Sequence, residues 1–135
     1  MTTKCGVILY NKQTKKYCLV FGRKSKKWGF PKGHQEDNEN DITTARRELF
    51  EETGYELSDE ILWKTKFLVK NNIYFEIDLE NDSQIHKKQS DIPDNIEIEK
   101  AEWFSFREIL NIGIVNCNFG LKNWILKDRH IKSQH

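Results

Sequence analysis

The chain has 135 residues, with 22 lysines and arginines against 21 aspartates and glutamates, for a net charge of +1. That length implies one domain, residues 1–135, with room for a core of its own. Hydrophobic residues at 37% and charged ones at 32% suit a soluble globular protein. A balance so near neutral excludes a globally basic nucleic-acid binder, so any basic footprint must be local.

The start, Met1-Thr2-Thr3-Lys4, does not read as a signal peptide. No apolar run approaches membrane length, so a cytoplasmic location and no membrane partner are expected. Residues 6–10 and 17–21 are short apolar runs split by the polar turn Asn11-Lys12-Gln13-Thr14-Lys15-Lys16, which predicts a hairpin. A basic loop over 22–27 carries Arg23, Lys24, Lys26 and Lys27, and Trp28-Gly29-Phe30-Pro31-Lys32-Gly33 follows it. Asn40 or Asp41 can cap a helix whose apolar positions are Ile42, Ala45 and Leu49, and Gly54 suits the left-handed position after its last turn. Residues 63–69 and 73–79 read as a second pair of strands, with Ile73, Phe75, Ile77 and Leu79 alternating onto one side. Residues 80–95 form a polar stretch with Pro93, too long for a tight turn. Residues 99–104 read as a strand, and Ser105 with Glu108 resembles a capping box opening a short helix. Asn118 can cap a final helix with Leu121, Trp124 and Ile125 as its apolar stripe. That helix also carries a second basic cluster, Lys127, Arg129 and Lys132.

Cys5, Cys18 and Cys117 are odd in number and widely spaced without a CxxC pair, so they read as buried free thiols of a reducing compartment. The four histidines lack metal-ligand spacing, and His34 reads as a loop residue. Trp28, Trp63, Trp103 and Trp124 read as core or cleft-wall residues.

Residues 33–55 carry the chemistry. Glu48, Glu51 and Glu52 have Arg47 ahead of them, Glu39 upstream and a glycine at either end, Gly33 and Gly54. With each residue type at about 6% of an average composition, a chance match at these seven fixed positions in one window is on the order of one in 10⁸–10⁹. At about 100° per residue the three glutamates fall on an arc of roughly 100° beside the apolar stripe. Glu48 and Glu52 are one turn apart, where like charges repel unless neutralised. Arg47 reaches Glu51 at i+4, but one cation cannot balance the cluster. A hard divalent ion with oxygen ligands, Mg²⁺ or Mn²⁺, can.

This segment resembles the signature of the Nudix hydrolases, which cleave nucleoside diphosphates linked to another moiety. The resemblance implies an α/β class fold, an α/β/α sandwich with a mixed β-sheet. It also implies Glu48, Glu51 and Glu52 as metal ligands with the Gly33 carbonyl nearby, and Glu39 and Arg47 as structural support of the site. Outside the signature, the Trp28–Gly33 run, Glu39-Asn40-Asp41-Ile42 and Glu97-Ile98-Glu99-Lys100-Ala101-Glu102-Trp103-Phe104 are similar to the catalytic domain of eukaryotic mRNA-decapping enzymes. That similarity spans roughly residues 5–132. It implies hydrolysis of the 5′ cap with release of 7-methylguanosine diphosphate, and Glu97 as a further metal ligand and the general base. Lys32 would neutralise a bridging phosphate, which makes Lys32, Glu51, Glu52 and Glu97 the expected catalytic set. The chain starts almost at its first strand, so the helical regulatory domain to which the family's activator docks is not expected in it.

If both basic clusters flank the cleft, they would track an RNA backbone. Capped RNA is thus the first choice of substrate. Dinucleoside polyphosphates or related nucleotides are the alternative, and a non-catalytic nucleotide-binding or cap-binding module is a third reading.

Overall fold

The computed structural model describes residues 2–88, 91–93 and 96–132, and the side chains of 128–132 lie outside that description. Its frame is a long hairpin. Strands β1 (Lys4–Asn11) and β2 (Lys16–Gly22) pair antiparallel at Tyr10↔Tyr17 and Asn11↔Lys16. Asn11 is almost buried at the turn, and its Oδ1 accepts from the Gln13 and Thr14 amides at 2.9 and 3.2 Å.

Beyond the turn the two strands splay apart, and the chain refills the gap. β3 (Trp28–Gly29) pairs with the far end of β2, and β4 (Lys32–His34) with the near end of β1, where Cys5 faces Gly33. Neither short strand has a readable pattern of its own, because the gap between β1 and β2 dictates both. The signature helix α1 (Asp41–Thr53) follows, capped by Asn40, whose side chain accepts from the Thr43 amide at 2.8 Å. It ends at Gly54 in the left-handed region, φ 83°, whose N–H reaches the Phe50 carbonyl.

β5 (Tyr55–Leu57), β6 (Lys66–Val69) and β7 (Asn72–Leu79) come next, and β7 runs parallel to β1 along its whole length. The expected strand over 63–69 is therefore shorter, beginning at Lys66. Trp63 instead packs edge-on against Phe75 and under the Arg46 guanidinium, 5.0 Å from the ring centre. The polar stretch after residue 80 contains a 3₁₀ turn, Asp82–Gln84, and β8 (Ile85–Lys87), which pairs with β5 in a small second sheet. β9 (Ile98–Ser105) lines up antiparallel with β2. α2 (Phe106–Ile112) opens with the expected capping box, Ser105 and Glu108 bonding reciprocally. α3 (Phe119–Lys132) begins where Asn118 Oδ1 accepts from the Leu121 amide at 3.0 Å.

The main sheet is mixed, in the order β3-β2-β1-β7-β6, with β4 on β1 and β9 on β2. On one face α1 contributes Ala45 and Leu49 to a core with Val7, Leu9, Cys18, Phe75 and Ile77. On the other face Ile109 of α2 and Leu121, Trp124 and Ile125 of α3 pack on Ile8, Leu19, Phe30 and Tyr74. This is the expected α/β/α sandwich. All three cysteines are free and buried, and among the described residues no helix is long and apolar enough to cross a membrane.

Candidate active site

Buried charge on α1 organises the site. Glu48 and Glu52 are 7% and 5% exposed, on the same helical face as Ala45 and Leu49. Burying two carboxylates is costly unless each finds partners. Glu52 Oε1 accepts from the Lys32 backbone amide at 3.2 Å. Glu48 lies directly against Gly33: a Cβ at position 33 would overlap its carboxylate. The glycine is therefore required by proximity, since any side chain would push Glu48 out of place.

Arg47 is the hub on the outer side of the helix. Its Nε and Nη2 donate to the two oxygens of Glu39 at 2.6 and 3.0 Å, a bidentate pair. Its Nη1 reaches Glu51 at 3.2 Å and lies 3.6 Å from Glu48, while Nη2 also donates to the His34 carbonyl at 2.9 Å. Glu39 additionally accepts from the Thr44 hydroxyl and the Glu36 amide. The Arg47 hydrogen bonds hold the Glu39 carboxyl at about 2, far below the usual range. Arg47 thus ties the β4 loop to α1 and fixes two of the signature glutamates.

The electrostatics show an acid cluster short of positive charge. Burial, and next the Glu51 charge, raise Glu48 well above the usual carboxylate range; Glu97 acts in the same direction and Arg47 opposes it. Lys32 is lowered, first by burial and then by Lys4, while Glu52, Glu48 and Glu97 act in the opposite direction. Glu97, exposed just before β9, is therefore close enough to act on both Glu48 and Lys32. Its backbone carbonyl is anchored by the Arg23 amide at 2.8 Å.

A cleft of about 420 Å³ joins these pieces. Lys32, Gly33, Glu52 and Glu97 line it, Lys24 and Lys27 come from the basic loop, and Val20, Phe30 and Ile98 give it an apolar wall. Lys26 of the same loop pairs with Glu99 at 3.2 Å instead. Lys127 does not line the cleft; its ammonium sits 5.6 Å over the Phe67 ring. The expectations at Arg129 and Lys132 concern side chains outside the described ones. Lys4 and Asn118 also line the cleft, and sequence reasoning missed both. Lys4 is brought there by its pairing opposite His34, which leaves no local signal.

The donor set fits a hard divalent cation. It consists of carboxylate oxygens, those of Glu48 and Glu52 being buried. Among the described residues no three carboxylate, imidazole or thiol groups close into a preformed cage. That is compatible with Mg²⁺, which keeps several waters and is commonly held by one or two carboxylates together with substrate phosphates.

The chain belongs to the NUDIX family, whose domain matches residues 2–124. Fold and family match agree: the mixed sheet between helices carries a NUDIX domain. Among particular relatives, it is similar to an m7GpppN-mRNA hydrolase of Saccharomyces cerevisiae, 29% identical over 142 residues, covering 96% of this chain and 14% of that protein. The mRNA decapping complex subunit 2 of Schizosaccharomyces pombe is 42% identical over 57 residues, covering 42% of this chain and 8% of that protein. The chain thus spans about one seventh of the length of the yeast relative. Among solved structures, a NUDIX hydrolase from Nitrosomonas europaea matches with a TM-score of 0.66 at 24% identity, over 96% of this chain and 88% of that one. A Caenorhabditis elegans Ap4A hydrolase in a binary complex matches with a TM-score of 0.63 at 15% identity, over 98% and 100%. At those identities the two structures speak to the fold.

Proposed function

We propose that the chain is a divalent-metal-dependent hydrolase of a phosphoanhydride bond, with the 5′ cap of RNA as its substrate and 7-methylguanosine diphosphate as a product. The observation that carries this reading is the convergence of Lys32, Gly33, Glu52 and Glu97, from three separate segments, on one cleft rimmed by Lys24 and Lys27. Glu48, Glu51, Glu52 and Glu97, with the Gly33 carbonyl, would hold Mg²⁺ or Mn²⁺. When bound, such an ion polarises a phosphoryl oxygen and makes water a better nucleophile near neutral pH.

The remaining work falls to the chain's own groups. Glu97, exposed beside the cleft, accepts the proton of the attacking water as general base. Lys32 offsets the charge of the bridging phosphate. Arg47 and Glu39 take no part in the chemistry and keep Glu48 and Glu51 in register. Lys24 and Lys27 contact phosphates of the RNA, with Arg23 in the same basic loop. Similarity to an m7GpppN-mRNA hydrolase along 96% of the chain supports capped RNA, and three free thiols fit a cytoplasmic enzyme.

A second reading, hydrolysis of dinucleoside polyphosphates, is favoured by one observation. The cleft is of a size for a small ligand, and Lys127 stands outside its lining. Against a module that only binds stands the complete set of four glutamates, which binding alone does not require.

Glu97→Gln tests the assignment of the base. Turnover is expected to fall about 10²–10⁴-fold with little change in KM. A change confined to KM would reassign Glu97 to positioning.

A further inference from the structure

The β2–β9 pair carries a second pocket at its other end. About 470 Å³ in volume, it is lined by Asn11, Lys16, Tyr55, Asp82, Lys87 and Trp103 among others, and shares no residue with the catalytic cleft. On β2, Lys16, Cys18 and Val20 alternate onto one face, with Trp103 opposite Cys18 and Ala101 opposite Val20. Lys16 belongs to this pocket and Gly22 to the cleft. Val20 lines the cleft as well, so at about 3.3 Å per residue the two sites come within some 13 Å of each other along the same strand.

The walls of the pocket are held rigidly. Trp103 and Tyr55 meet edge to face, ring centres 5.8 Å apart, and the indole Nε1 donates to the Tyr55 hydroxyl at 2.9 Å. The polar atom of the indole is thereby satisfied within the wall, while the half-buried ring packs partly on the core and partly lines the pocket. Lys87 Nζ sits 4.6 Å over the Tyr55 ring and donates to the Thr53 carbonyl at 2.7 Å. An ammonium has three protons, so that bond does not exhaust it. Asn11, itself tied into the hairpin turn, lies 3.5 Å from Asp82. Pairing of β5 with β8 fixes Tyr55 opposite Lys87. The hydrolytic reaction uses none of these residues.

An aromatic wall beside two ammonium groups, with an amide and a carboxylate at the edge, suits a ligand that joins a planar ring to an anion. Inorganic phosphate would leave the indole unused, and an apolar ligand would leave the two ammonium groups unused. The single Asp82 opposes more than a small anionic charge. We propose that this pocket is a second nucleotide site, which stacks the base of a nucleoside monophosphate on Trp103 and holds its phosphate between Lys16 and Lys87, with Asn11 and Asp82 at the base edge. Base stacking on an aromatic side chain and charge-assisted contacts to phosphate together give such a ligand useful affinity. The site stands whatever the catalytic cleft cuts.

The indole N–H resonance of Trp103, assigned by its loss in Trp103→Phe, reports on the pocket. Adenosine 5′-monophosphate is added to the full chain with chelator present, so that no turnover intervenes. A saturable shift of that resonance is expected, with adenosine and ribose 5-phosphate each binding at least about tenfold more weakly. Lys16→Gln should weaken the monophosphate by about tenfold. Lys87→Gln serves as a second variant, with its folding checked by the amide spectrum. An unmoved Trp103 resonance at millimolar ligand, a shift confined to Trp28 near the cleft, or wild-type binding in both lysine variants would overturn the proposal.

Discussion

Gly33 shows how closely single residues constrain this site. Its α-carbon lies against the Glu48 carboxylate, so even one methyl group would displace that side chain from the signature cluster. Gly33→Ala is therefore expected to lose at least about 10²-fold in turnover, as misplacement near the reacting atoms does, while the chain still folds. Near-wild-type kcat in this variant would mean that Glu48 is not needed where it stands. The Glu39–Arg47 pair makes a different kind of contribution. Because Glu39 is held at about 2 in the folded chain, down from 4.5, it stabilises the fold fully above about pH 4.5, and that contribution is lost as pH falls through about 2. Glu39→Gln should thus lower stability at neutral pH and flatten the acid limb between those values, measured by urea melts at a series of pH values. An acid limb identical to wild type would remove Glu39 from the structural role.

At the scale of elements, α1 carries most of the site, and its two ends were legible in the sequence. Asn40 and Gly54 act through partners within four residues of themselves, so their chemistry is local. Gly54 stands at φ 83°, where a Cβ is strained. Gly54→Ala is expected to cost about 1–2 kcal/mol, read from the urea midpoint, and an unchanged midpoint would contradict the cap. The β1–β2 hairpin, the Ser105 capping box and the Leu121, Trp124, Ile125 stripe were legible for the same reason. The short strands were not. β3 and β4 exist because β1 and β2 splay apart, and β5 exists because Tyr55 meets Lys87 thirty residues on. Two or three residues carry no periodicity, and their partners are distant in sequence. Trp63 misled in the other direction: a β-former by type, it is drawn out of the strand to pack on Phe75 beneath Arg46.

For the whole molecule, Glu48, Glu51 and Glu52 of the proposed metal site lie together on one helix, which is why that part of the site could be read from sequence. Glu97 came from resemblance, and its charge is felt by both Glu48 and Lys32. Lys4, the apolar cleft wall and the Trp103 pocket arise only when strands far apart in sequence converge, and so left no local mark. The basic clusters divide: Lys24 and Lys27 rim the cleft, whereas Lys127 lies over Phe67. The central claim is a divalent-dependent cut at the cap of RNA, and chromatographic separation of products tests it most directly. Capped RNA and a dinucleoside tetraphosphate are supplied side by side with Mg²⁺, at low and at moderate salt, to wild type and to Glu52→Gln. Release of 7-methylguanosine diphosphate from capped RNA is expected to be the faster reaction, to fall steeply with salt as phosphate contacts are lost, and to vanish with chelator or in Glu52→Gln. Tetraphosphate hydrolysis as fast as capped-RNA hydrolysis at low salt, or products that persist in chelator, would contradict it.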